Sequence, residues 1–90
     1  MSPAASNLAK VVETIGRTLA DDPDAVRVVE SEHRGLRLLE LYMASGDLGR
    51  VIGRQGRTAA ALRTLVAVAA EHAGVKAQLE FRDGKAPESE

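Results

Sequence analysis

Val51-Ile52-Gly53-Arg54-Gln55-Gly56-Arg57-Thr58 sets two glycines three positions apart, between a short apolar segment and a long alanine-rich one. Glycine at each end of a four-residue turn permits positive φ and lets the backbone approach another molecule with no Cβ in the way. The turn leads into a helix expected from near Arg57. Arg54 and Gln55 therefore project from its tip beside unpaired N–H groups and the positive end of a helix dipole, a space that favours phosphate. Between Leu48 and Ala70 the only formally charged residues are Arg50, Arg54, Arg57 and Arg63. The chain has 12 basic and 13 acidic residues, so this segment carries +4 and the remainder 8 minus 13, or −5. A basic face on an acidic body points to a localised anion site.

The spacing of two glycines is weak by itself, and Gly46-Asp47-Leu48-Gly49 repeats it. Its setting makes the later pair informative. Upstream, Leu8, Val11, Val12, Ile15 and Leu19 recur at helical spacing, which predicts a helix from Ser6 to Ala20 that Asp21-Asp22-Pro23 stops. Val26 to Glu30 and Leu36 to Met43 read as two antiparallel strands joined across Ser31 to Gly35, with Val26, Val28, Leu39, Leu41 and Met43 on the buried face. Ser45-Gly46-Asp47 breaks the second strand and offers an N-cap to a short helix through Leu48, Val51 and Ile52.

Downstream, Thr58 to Ala73 reads as helix, with Ala59, Leu62, Leu65, Val66, Ala69 and Ala73 as its apolar stripe and Gly74 as its stop. Val75, Ala77, Leu79 and Phe81 alternate with Lys76, Gln78, Glu80 and Arg82, the period of a half-buried strand. Residues 1–82 form one domain in this reading, and 83–90, rich in Gly, Pro and charge, form a flexible tail. The order α-β-β-α-α-β makes an α+β fold of two layers, a three-stranded sheet with three helices on one face.

Ninety residues suffice for one small core, which buries about two-thirds of the surface of the unfolded chain. No apolar run is long enough to span a membrane and no signal-peptide pattern opens the chain, which makes a cytoplasmic location the expectation. Zero cysteines exclude disulfides and thiol chemistry. His33 and His72 have no ligand-like partner nearby, so neither a metal nor a cofactor is expected. An enzyme reading finds no support. A Walker A loop ending at Gly56-Arg57-Thr58 needs glycine where Val51 stands and lysine where Arg57 stands, and the spacing of Gly49, Gly53 and Gly56 is not a dinucleotide fingerprint.

Three runs carry a resemblance to a known family: Asp22-Pro23-Asp24-Ala25-Val26, Leu39-Glu40-Leu41, and the unbroken Asp47-Leu48-Gly49-Arg50-Val51-Ile52-Gly53-Arg54-Gln55-Gly56-Arg57. From about Leu8 to Phe81 the chain resembles a KH domain of the prokaryotic type II order, and within that class the small single-domain bacterial KhpA-type proteins. Such proteins usually carry proline just after the second strand, where this chain has Ser45-Gly46. The resemblance implies a module that grips the backbone of single-stranded RNA with a GXXG loop, in a groove between that loop, its flanking helices and the second strand. Carried over residue by residue, it implies that Gly53, Arg54, Gln55 and Gly56 form the clamp. Arg50 and Arg57 neighbour it, and Ile52 contributes to an aliphatic floor beneath the bases.

It further implies RNA-chaperone activity, a homodimer or a larger KH-containing partner of the KhpB type, and a link to cell length and cell-wall synthesis. The competing expectation is a pairing module with a KH fold and little RNA affinity, for which the small apolar residues Ala60, Ala61, Ala67 and Val68 of the long helix supply a surface. With only Tyr42 and Phe81 aromatic, and Phe81 expected in the core, base stacking on aromatic rings is largely ruled out.

Overall fold

A computed structural model describes residues 3–53 and 56–87. The elements run α1 (Pro3–Leu19), a 3-10 turn (Pro23–Ala25), β1 (Arg27–His33), β2 (Leu36–Met43), α2 (Ser45–Ile52), α3 (Arg57–His72) and β3 (Lys76–Asp83). β2 is the central strand, antiparallel to β1 and parallel to β3. A hairpin can only join antiparallel neighbours. The parallel β3 is reached through the α2–turn–α3 crossover, and that crossover carries the glycine turn.

The period of two along β2 sorts its side chains cleanly. Leu39, Leu41 and Met43 are fully buried under the helices, while Leu38, Glu40 and Tyr42 lie on the other face. Leu79 stands opposite Leu39 and is buried with it. Val26 is fully buried from a position just before β1, and Val28, opposite Leu41, packs against the same core. Ala77 and Phe81 lie only at the margin of the core, so Phe81 is less enclosed than its alternation predicts.

The hairpin differs from the expected five-residue connection. Ser31, Glu32 and His33 belong to β1, paired with Leu38, Arg37 and Leu36, and the turn is the two residues Arg34 and Gly35. Both have positive φ, 53° and 85°, as a type I′ turn requires. Arginine at the first of these positions is unusual, which hid the tight turn in the sequence.

Both long helices rotate away from their expected stripes. α1 buries Leu8, Val12 and Gly16, leaving Val11 54% and Leu19 43% exposed. A Cβ on Gly16 would come within 3.1 Å of Leu41 and Val26 side-chain carbons, so α1 lies on the sheet at a separation that glycine makes possible. α3 buries Ala59, Leu62, Val66 and Ala70, whereas Leu65 is 59% exposed and Ala69 is also exposed. The exposed Val11, Leu65 and Ala69, with the half-buried Ile15, line an apolar groove of about 200 Å³ between α1 and α3 above Leu8 and Leu62.

α3 closes in a Schellman motif: Val75 N–H donates to Ala70 C=O, Gly74 N–H donates to Glu71 C=O, and Gly74 is left-handed at φ 74°. β3 continues to Asp83, and Gly84 N–H donates to Met43 C=O. The chain is thus held to the sheet two residues past the expected domain end at 82.

Candidate nucleic-acid interface

α2 is the element that delivers the turn. It starts after Ala44, in extended conformation, with no side-chain cap, so the cap expected from Ser45-Gly46-Asp47 does not form. Ser45 lies inside the helix, and its hydroxyl donates to the Asp83 carboxylate at 2.5 Å, tying the start of α2 to the end of β3. Asp47 points inward. It shares the buried side of α2 with Val51, four residues on, and is 5% exposed.

Its two carboxylate oxygens accept the backbone N–H groups of Asp21 and Asp22 at 3.0 Å each, and Arg50 Nη2 reaches one of them at 2.7 Å. The same Arg50 nitrogen lies 2.9 Å from Asp21 Oδ2. These backbone donors, with Arg50 adding to them, hold the Asp47 carboxyl below the usual carboxylate range, and the Asp47 and Asp21 carboxylates push Arg50 up.

The turn itself has two glycines in different situations. Gly53 ends α2, its N–H donating to Gly49 C=O at 2.7 Å, and adopts φ 62°, ψ −176°, a region essentially reserved for glycine. Gly56 is left-handed at φ 61°, ψ 24°, donates to Gly53 C=O at 3.3 Å and caps α3 without a side chain. Among the described residues no neighbour stands within 4 Å of where its Cβ would be. No side chain among the described residues caps the N–H groups of the first turn of α3.

Arg57 is exposed at the start of that turn, and Ile52 is 42% exposed at the end of α2. Arg54 and Gln55, expected at the tip, lie outside the described residues. Gly53, Gly56, Ile52, Arg50 and Arg57 are thus brought together around one turn. Among the described residues Arg57 and Arg63 make no ion pair with a carboxylate, in contrast to Arg50.

Arg63 is a feature that sequence reasoning counted in the basic run without assigning it a place. It lies one and a half turns into α3, with Nε 3.4 Å from Leu79 C=O and its guanidinium 5.1 Å from the centroid of the Phe81 ring. The cleft there, about 320 Å³, is lined by Arg63, Ala77, Gln78, Leu79 and Glu80 along the open edge of β3. Asp47, expected to help cap α2, holds the loop after α1 instead. The available signal was that it is the one acid between Ala44 and Ala70 and falls four residues before Val51. Among the described residues no cluster of three or more His, Cys, Asp or Glu could hold a metal ion, and no helix is long and apolar enough to cross a membrane.

A three-stranded mixed sheet covered by three helices, with a glycine-bracketed turn between the second and third of them, defines a type II KH domain. The chain belongs to the KhpA/KhpB KH-domain family, whose model matches residues 9–81. It is 48% identical over 63 residues to the RNA-binding protein KhpA of Caldanaerobacter subterraneus, covering 70% of this chain and 84% of that one. With the protein of the same description from Treponema pallidum it shares 42% identity over 74 residues, 82% and 92% of the two chains. The Mycobacterium tuberculosis counterpart is 54% identical over 56 residues, 62% and 70% of the two chains.

Proposed function

We propose that this protein binds single-stranded RNA by its sugar–phosphate backbone, through the turn bracketed by Gly53 and Gly56. The observation that carries the reading is the left-handed Gly56 opening α3 with no side-chain cap among the described residues, which leaves backbone N–H donors beside the exposed Arg57. Relatives described as RNA-binding proteins support the choice of RNA over a small anion. In this assignment Gly53, Arg54, Gln55 and Gly56 form the clamp, Arg57 lies beside the phosphate path and Ile52 floors the groove. Arg50 borders the turn, held between two carboxylates. The binding domain ends with β3 and the bond from Gly84 to Met43, and the tail follows it.

Binding by backbone contacts is sequence-tolerant and moderate in strength, which suits an RNA chaperone of the cytoplasm. A KhpB-type partner and a role in cell length and wall synthesis are part of the same proposal. The test is fluorescence anisotropy with a short single-stranded RNA across a salt series. With about three phosphates neutralised the log–log slope is near −2, and affinity falls roughly 20-fold between about 50 and 200 mM salt. A salt-independent affinity removes the arginine cluster as the contact surface.

A second reading, pairing through the helical layer, is favoured by one observation: Val11 and Leu65 stand more than half exposed on either side of the α1–α3 groove. Ala60, Ala61 and Ala67 are exposed on α3 as well. A homodimer or a heterodimer built on this surface leaves the glycine turn free, so pairing and RNA binding are compatible.

A further inference from the structure

α2 is tied down at few points: Ser45 to Asp83, Leu48 at the margin of the core, and its buried side chains. It is eight residues long, has no side-chain cap and buries only Asp47 and Val51. A helix this short does not persist alone in water. One of its two buried side chains is a carboxylate that ends on the loop after α1, where it takes the N–H groups of Asp21 and Asp22. Arg50, one turn on, closes over both Asp47 and Asp21. The backbone of Arg50 also meets the turn: a Cβ on Gly53 would stand 2.9 Å from the Arg50 carbonyl oxygen. The ion pairs and the exit of the chain from α2 therefore share one residue.

We propose that Arg50 is a positioning residue for the glycine turn and not a phosphate ligand: shared between Asp47 and Asp21, its guanidinium fastens α2 to the loop after α1 and sets the direction in which Gly53 leaves the helix. The proposal rests on the RNA-binding reading of that turn. Its charge is already matched by two carboxylates within 3 Å, at 2.7 and 2.9 Å. Drawing it to a phosphate would leave the buried Asp47 carboxylate short of a partner, which is unfavourable. Counterion release is then left to Arg54, Arg57 and Arg63.

The experiment compares Arg50→Gln, Arg50→Lys, Asp21→Asn and Arg57→Gln in RNA titrations over the same salt series, and measures amide hydrogen exchange by NMR without RNA. Arg57→Gln makes the salt slope shallower by about 0.7, the amount expected for one phosphate contact on a single strand. Arg50→Gln lowers affinity by a common factor of roughly 3–10 at every salt concentration and leaves the slope unchanged. Arg50→Lys restores most of the loss, because an ammonium can still pair with Asp47, and Asp21→Asn weakens binding.

A phosphate ligand behaves in the opposite way. Arg50→Gln would then flatten the slope and Asp21→Asn, by freeing Arg50, would tighten binding; either result overturns the proposal. Exchange supplies the arm that needs no RNA. In Arg50→Gln the Gly53 amide exchanges roughly 10-fold faster while the Leu39 and Leu41 amides keep their protection. Unchanged Gly53 exchange overturns the positioning role. Faster exchange in a protein whose wild type binds no RNA upholds that role and removes the RNA reading instead.

Discussion

Gly53 faces the carbonyl oxygen of Arg50 so closely that a Cβ built on it would stand 2.9 Å away, whereas no described residue comes within 4 Å of the corresponding position on Gly56. The two glycines of the turn are therefore not equivalent. Gly53→Ala meets both a backbone region reserved for glycine and a backbone clash, and is expected to cost about 2–3 kcal/mol. For a domain of this size that lowers the melting midpoint by roughly 10–20 °C. Gly56→Asn meets only a positive φ that asparagine tolerates, and is expected to cost less than about 1 kcal/mol. Thermal melts of the two variants decide the matter, and equal losses would contradict the geometry.

Arg54→Asp with Gln55→Asp tests the clamp. The substitutions place negative charge where phosphate is proposed to sit, opposing the uncapped start of α3. RNA affinity is expected to fall by more than about 10-fold, while stability stays within about 0.5 kcal/mol, the change expected of substitutions at a turn tip that the sequence predicts to project into solvent. Anisotropy and circular dichroism on the same preparation check it; full affinity in a folded double variant places the ligand elsewhere.

Asp47 makes stability depend on acid. Backbone N–H groups of Asp22 and Asp21, and then Arg50, lower its folded pKa from the ordinary 3.8. A lowered folded value means that its contribution is complete above the unfolded pKa and is lost as pH falls through the folded one. The difference in melting midpoint between wild type and Asp47→Asn is therefore expected to be constant above about pH 5 and to shrink progressively below about pH 4. A difference that does not change over that range would mean that the carboxylate charge is not what the loop holds.

Leu65→Glu probes the helical layer. Leu65 is largely exposed, so the substitution is expected to change the stability of an isolated chain by no more than about 0.5 kcal/mol. If the groove between α1 and α3 mediates pairing, a charge there shifts sedimentation toward the monomer and leaves RNA affinity per chain unaltered. Wild type that already sediments as a monomer at high micromolar concentration removes the pairing surface.

Much of this molecule was legible residue by residue, because the signals were local. The alternation of Leu39, Leu41 and Met43 selects one face of a strand whatever lies above it, and Gly74 ends α3 by a bond pattern confined to six residues. The bracket of Gly53 and Gly56 likewise marked the turn through φ alone. What the sequence could not decide was which element each side meets. Leu65 and Ala69 fit a helical stripe as well as Ala70 does, and only the packing of α3 on its neighbours decides that the first two stay in solvent. Nothing in the sequence marked Gly16, yet Leu41 and Val26 side-chain carbons stand 3.1 Å from where its Cβ would be. Asp47 read as a helix cap, yet its partners Asp21 and Asp22 lie 26 and 25 positions away. A cap needs only the backbone next to it, whereas a buried carboxylate needs donors brought from elsewhere, and those arrive only when the chain has folded.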